Sequence, residues 1–454
     1  MKPKSVTPSS SVPPGPPLWA TPALFRLLVT DRLTLMKSAA DRYGDAVRLR
    51  IGPKTLFLFN HPDHAKHVLA DNADAYHKGI GLHEARRALG DGLLTSEGEL
   101  WRRQRATIQP AFQHKRIAGQ AGVIAEEAAR LVTRLRSHQG DGPVDVAHEV
   151  TLLALGVLGR TLLSADLGAF ENVGHAFEAV QDQAMFDMVS LSMVPAWLPL
   201  PRQVRFRLAR RQLHRVTDGL VMLDRDPARG AADLVSRLLA AGRLDSDGEA
   251  RRQRLDDELV TVMLAGHETT ASTLSWAFYL IDRHPCVAER LRDEAVEVLG
   301  DQLPSQEHLP RLRYTRMVLE EVMRLYPPVW ALTRRAQRDD EVGGYHVPAG
   351  TDVMICPYTL HRHPAFWDNP EGFDPANFDP DREVRRPRYA YLPFGAGPRS
   401  CVGNHLGMME ATFVLALAAR DVRLRLLPQR RVVAEGMLSL RIRGGLPMTV
   451  HPAA

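Results

Sequence analysis

The chain has 454 residues, 44% of them hydrophobic and 24% charged, enough to bury a sizeable core in one large or two to three ordinary domains. Its 58 Lys and Arg against 53 Asp and Glu leave a net charge of +5 with no long like-charge run, which argues against nucleic-acid binding but allows a basic patch for an acidic protein. Three distant cysteines, Cys286, Cys356 and Cys401, with no CxxC pair, argue against a disulfide scaffold or a structural zinc site and fit a reducing cytoplasm. The first twenty residues are Pro- and Ser-rich and hold no apolar stretch for a signal peptide or membrane span. Residues 1–22 therefore read as a flexible segment and 23–454 as a single domain. "ALFRLLVTDRLTLM", interrupted by Arg26, Asp31 and Arg32, predicts a surface helix. Val47, Leu49 and Ile51 alternate with polar residues, Gly52-Pro53 turns the chain, and Thr55 to Phe59 returns, which predicts a hairpin.

Helical periodicity then fills Gly98 to Leu299, with breaks near Pro143 and in "VPAWLPLP", and one long helix is predicted over Leu255–Asp282. Val342 to Met354 is strand-rich, and Pro364 to Pro393 is irregular. The last segment, "LSLRIRGGLPMTVHP", alternates around Gly444-Gly445 and predicts a terminal hairpin. The whole reads as mainly α with small β-sheets, without internal repeats.

Cys401 stands in "FGAGPRSCVG", Phe394 to Gly403, and a helical pattern begins at Gly403. Gly395, Gly397 and Gly403 let the backbone turn tightly and let a flat partner approach. A position just before a helix N-terminus favours thiolate over thiol. From these residues alone the thiol is a buried small hydrophobe, a nucleophile or a metal ligand.

Phe394, Gly397, Arg399, Cys401 and Gly403 resemble, position by position, the haem-binding loop of the cytochrome P450 family of haem-thiolate monooxygenases. "LAGHETTAST" resembles that family's oxygen-activation segment, with Ala265, Gly266, Glu268, Thr269 and Thr270 in place. "EEVMRLYPP" carries its Glu-x-x-Arg pair as Glu321 and Arg324. "LWRRQRATIQPAF" carries Trp101 and Arg105 at the positions of its haem-propionate contacts, and Arg399 and Arg334 match two more. One departure is "FDPANF", where Asn377 stands at the place of an arginine that joins the Glu-x-x-Arg pair in many members; Arg382 is the other candidate partner.

The resemblance covers about Val47 onward and implies a cytochrome P450 fold, with haem b between the long Leu255 helix and the Cys401 loop. It implies Cys401 as the axial thiolate ligand of the iron, whose electron donation favours O–O cleavage. Ala265 and Gly266 leave space over the ring, Thr269 holds a water or an oxygen ligand, and Glu268 relays protons. Phe394, Gly403, Arg399, Trp101, Arg105, Arg334 and Ala265 complete the haem contacts.

The implied reaction is insertion of one oxygen atom from O2 into a lipophilic small molecule: a terpenoid, a polyketide-derived compound or a fatty compound. The chain has no flavin domain, so electrons are expected from a ferredoxin with its reductase. Arg102, Arg103, Lys115, Arg116 and the "DREVRRPRYA" run are candidates for docking that acidic donor. Pocket-lining segments by analogy are Gly79 to Leu94, "AMFDMVSLSM", "VWAL" and the Met437-Leu438 turn, with "SMVPAWLPLP" as a lid. A soluble, cytoplasmic, monomeric bacterial enzyme of secondary metabolism is expected. Two other readings use the same residues: a peroxide-driven peroxygenase or isomerase, and a haem-binding sensor. The presence of both Glu268 and Thr269 argues against the first.

Overall fold

The computed structural model describes residues 12–51, 54–167, 173–190, 193–195, 197–223, 233–242 and 248–453. In chain order, α1 (Thr21–Thr30) and α2 (Arg32–Tyr43) precede β1 (Ala46–Ile51) and β2 (Lys54–Phe59). Then come α3 (Pro62–Lys66), β3 (Tyr76–Lys78), α4 (Leu82–Leu89), α5 (Gly98–Ile108) and α6 (His114–Ala118). A helical stretch follows: α7 (Ala121–Ser137), the short β4 (Val144–Asp145), α8 (Val146–Leu162), α9 (Val173–Val189), α10 (Pro201–Leu223), α11 (Leu234–Gly242) and α12 (Gly248–Arg283). Helices α13 (Pro285–Leu299) and α14 (Arg313–Leu325) lead to β5 (Leu332–Ala336), β6 (Asp340–Val342), β7 (Tyr345–Val347) and β8 (Asp352–Ile355). The chain closes with α15 (Pro357–Leu360), α16 (Pro380–Glu383), α17 (Asn404–Asp421), β9 (Val422–Leu426), β10 (Ala434–Gly436), β11 (Leu440–Ile442) and β12 (Pro447–Pro452).

The chain forms two compact units. The first draws on Met1–His83, Val329–Gly372 and Val384–Cys401. Its five-stranded sheet has the order β1-β2-β8-β5-β3, with β2 and β8 parallel and the other pairs antiparallel. Phe57, Phe59, Tyr76, Val353, Ile355 and Leu360 form its core. The β1–β2 hairpin is present as predicted, while its turn at 52–53 lies outside the described residues. The single surface helix expected around Arg26 is two helices. Asp31 ends α1 and caps α2, its carboxylate accepting from Thr34 N–H at 3.1 Å. Helix α1 buries nothing, whereas α2 buries Leu33, Leu35 and Met36.

The second unit draws on Glu84–Pro328, Phe373–Glu383 and Val402–Ala454. Helix α12 runs through it for 36 residues, buried on most sides. It begins seven residues before the apolar pattern does, because "EARRQR" after Gly248 is made of good helix formers that are exposed or half-exposed. Helix α8 packs against it so closely that a Cβ at Gly266 would meet Leu158 at 2.6 Å. Trp276 of α12 stacks on Tyr326 with ring centroids 3.7 Å apart. The predicted terminal hairpin does not form. Strand β11 pairs with β10, and β12 enters a different sheet of order β4-β12-β9. Gly444 and Gly445 both have positive φ, at 72° and 77°, and swing the chain out of one sheet into the other. Asp145 receives it, accepting from Leu446 N–H at 2.8 Å. In the segment expected to act as a lid, Met193 and Trp197 are exposed; residues 192 and 196 lie outside the described residues, as do 191 and 192 of "AMFDMVSLSM".

Candidate active site

Cys401 is an exposed cysteine. Its backbone N–H donates to the Phe394 carbonyl at 2.9 Å, and Ser400 N–H donates to Gly397 O at 3.1 Å, which closes the loop into a tight turn. Gly395 and Gly397 hold φ of 67° and 68°. At Gly397 a Cβ would also collide with the Leu69 carbonyl, so the loop rests directly on the backbone of residues 69–70. Arg399 ends a short 3-10 turn, and Gly403 is the N-cap of α17, as the sequence predicts. The other two thiols differ. Cys356 is buried, its Sγ 3.2 Å from the Trp330 carbonyl, and burial pushes its thiol pKa up. Cys286 is exposed at the start of α13.

In β5, Arg334 and Arg335 point to opposite faces. Arg335 makes two bonds to Asp352, at 3.0 and 2.8 Å. Arg334 is buried, and its Nη1 donates to the Thr333 carbonyl at 2.9 Å. The geometry thus separates two neighbours that spacing alone left close. Trp101 and Arg105 are half-buried one turn apart on α5, with Arg105 Nε donating to Gln109 at 3.1 Å. Arg102 and Arg103 are exposed, and both reach Glu99.

On α12, Ala265 is exposed and Gly266 and Thr269 are half-buried, between the buried Leu264 and His267 and the buried Thr270. The Thr269 hydroxyl donates to the Ala265 carbonyl at 2.8 Å, the local alternative open to a helical threonine. Glu268 is half-buried as a residue, with its carboxyl end drawn under the turn between β10 and β11. There it accepts from Ser439 Oγ at 2.7 Å. Burial lifts its pKa to about 7, against the opposing pull of the Ser439 hydroxyl and the Arg441 charge. His267 turns the other way. Its Nδ1 lies 2.7 Å from the Met263 carbonyl, its ring packs 4.8 Å from Phe177, and burial lowers its pKa to about 4. It is a neutral packing residue. Ser439 and Arg441 escaped the sequence reading, since nothing local ties them to a helix 171 residues away.

Glu321 and Arg324 are fully buried and paired. Asn377 Nδ2 donates to Glu321 Oε1 at 3.2 Å, and Asp374 N–H donates to the same oxygen at 2.8 Å. Arg382 reaches Asp374 instead, at 3.2 Å.

Each unit thus carries residues that the resemblance to haem-thiolate enzymes singled out: Cys401 on a glycine turn in the first, Glu268 and Thr269 on α12 in the second. The family model described as Cytochrome P450 matches residues 12–440. The chain belongs to the cytochrome P450 family. It is 37% identical over 432 residues to Cyclooctatin synthase of Streptomyces melanosporofaciens, covering 94% of this chain and 93% of that protein. It is 34% identical over 463 residues to Cyclooctat-9-en-7-ol 5-monooxygenase of the same organism, covering 98% of each. In fold it resembles the crystal structure of the cytochrome P450DA heme domain, with a TM-score of 0.85 at 23% identity over 98% of both chains. The chain is therefore a haem-dependent monooxygenase that places one oxygen atom from O2 into a lipophilic small molecule, using electrons from a redox partner. No helix among the described residues is long and apolar enough to cross a membrane.

Proposed function

We propose that Cys401 is the thiolate ligand of haem b, that Glu268 and Thr269 deliver protons, and that the enzyme hydroxylates or epoxidises a cyclic olefin or its alcohol, of the terpenoid class. The residues fit such a group. Cys401 is an exposed single thiol on a loop that only glycine at 397 permits, and Ala265 presents a small exposed face in mid-helix. Arg334, Arg399 and Arg105 are cations suited to carboxylates at a cofactor edge, with Trp101 as a further donor. Phe394 and Gly403 frame the ligand loop. Haem bound through a thiolate supplies the activation of dioxygen.

The observation that carries the reading is Glu268: a carboxyl poised at about pH 7 on α12, held by Ser439 and adjacent in sequence to Thr269, whose hydroxyl bonds the Ala265 carbonyl. An acid at that pKa is half protonated at neutral pH and can both take and give a proton. Thr269 would hold the accepting oxygen or a water in register. The relative's name, cyclooctat-9-en-7-ol, denotes an olefinic alcohol and supports the substrate class.

Electrons would come from a ferredoxin with its reductase. Lys115, Arg385 and Arg388 are exposed cations that support an acidic donor. Arg386 instead stacks 3.7 Å over Trp367. A monomeric, single-domain enzyme in the cytoplasm completes the proposal. The test is turnover of olefinic terpenoids under ¹⁸O2, after selecting compounds that shift the haem spin state. One labelled atom per product, dependent on NADPH and ferredoxin, supports the reading. Product formed from hydrogen peroxide alone, carrying peroxide oxygen, makes the enzyme a peroxygenase.

A further inference from the structure

The Glu268 carboxyl is gripped from outside its own helix. Ser439, itself buried, donates to Glu268 Oε1 at 2.7 Å from the turn joining β10 to β11. That turn is fixed. The Leu440 carbonyl accepts from Ser272 Oγ at 2.6 Å and from Trp276 Nε1 at 2.8 Å, and Leu440 N–H donates to the Pro328 carbonyl at 2.9 Å. Positions 268, 272 and 276 are spaced by four and form one stripe of α12 facing the hairpin. Ala265, Thr269 and Thr273 form the neighbouring stripe, about 100° round the helix. The carboxyl therefore rests on the hairpin side, turned from the Thr269 hydroxyl, and Ser439 is too firmly held to follow it.

Charge around the carboxyl is arranged to match. Arg441, two residues past Ser439, lowers its proton affinity, while Arg441 Nε is bonded to Glu435 Oε2 at 3.0 Å. Arg443 holds the other Glu435 oxygen at 3.1 Å. His267, next to Glu268 in sequence, faces Phe177 of α9.

We propose that Ser439 is a positioning residue for the oxygenase reaction: its hydroxyl parks the Glu268 carboxylate on the β10–β11 turn, and a proton moves inward when the carboxyl leaves that hydroxyl for the Thr269 stripe. This rests on Glu268 being the proton relay. In place, the hydrogen bond favours the ionised form; once it breaks, the desolvated carboxylate takes a proton from water and gives it up on the inner side. One proton is moved and no oxidation state changes at Glu268.

Infrared difference titration of the haem-loaded ferric protein, without substrate, tests this. The protonated-carboxyl band of Glu268 is assigned by its loss in Glu268→Gln. Ser439→Ala should raise the midpoint of that band by about one pH unit, and Ser439→Thr should restore it. The alkaline limb of kcat should move up by the same amount with KM unchanged. If Ser439→Ala does not fold, Ser439→Cys, a weaker donor, should give a smaller shift in the same direction. A parent-like midpoint in Ser439→Ala or Ser439→Cys overturns the proposal. A parent protein whose reduced carbon-monoxide complex lacks the thiolate band overturns the oxygenase reading instead, and the turnover-free titration keeps the two failures apart.

Discussion

Glu321 and Arg324, one turn apart on α14, face each other through two hydrogen bonds of 2.7 Å with both side chains wholly buried. Removing either partner strands a charge in the interior, a loss of about 3–5 kcal/mol. Arg324→Ala and Glu321→Ala should yield little soluble, haem-loaded protein. Asn377→Ala removes one neutral donor and should lower stability by about 1 kcal/mol, leaving haem content near normal. Haem-to-protein ratio and urea midpoints measure both. An Arg324→Ala protein with parent stability would refute the structural role.

The reduced carbon-monoxide complex should show the strongly red-shifted Soret band of a thiolate ligand. Cys401→His should abolish it. Cys286→Ser, at an exposed site, and Cys356→Ser, at a buried one, should keep it. A band that follows Cys356 would end the assignment of Cys401.

Thr269 can lose its hydroxyl without leaving a polar group stranded, because the Ala265 carbonyl it bonds belongs to a continuous helix. Thr269→Ala should therefore melt close to the parent and still consume NADPH. The product formed per NADPH should fall by roughly tenfold or more, with hydrogen peroxide released in its place. Counting product and peroxide in one vessel decides it; parent-like coupling would make the threonine an ordinary helix residue.

Glu268 acts in its acid form, and that form is half populated at about pH 7. Raising the pH depletes it, so kcat should fall as pH rises through about 7. Glu268→Gln cannot titrate there and should be slow at every pH, with no limb near 7. A parent profile flat from pH 6 to 9 would remove Glu268 from the relay.

Glu410 of α17 is buried, its Oε1 has no hydrogen-bond partner among the described residues, and desolvation holds its pKa well above the ordinary carboxyl range. The folded chain keeps a proton there that the unfolded chain releases. Stability is therefore fully supported below the ordinary carboxyl pKa and declines as pH rises toward the folded value, by about 1.4 kcal/mol per pH unit for one proton. Glu410→Gln should flatten that slope in the pH range just above the ordinary carboxyl pKa, read from urea unfolding. Equal slopes in the two proteins would show that Glu410 does not carry the proton.

Local chemistry made much of this architecture readable. Glycines around Cys401 mark a loop that needs positive φ and close backbone approach, and the spacing of Glu321 and Arg324 puts them on one helix face. What escaped depended on contacts distant in sequence. Gly444-Gly445 looks like a hairpin turn until Asp145 draws the chain into another sheet. Arg334 and Arg335 are indistinguishable by type, and only Asp352 across the sheet separates them. Asp31 was visible as an interruption, but its capping of α2 turned one expected helix into two. Ser439 is an unremarkable serine until the turn carrying it meets α12.

Strand β12 is the middle member of its sheet, yet it is the last of the three strands to be synthesised. Val144 and Leu426 both await Met448, so the flanking strands keep exposed edges throughout the making of everything between them. A chain truncated before residue 447 would carry two unsatisfied β-edges, templates for pairing with another chain.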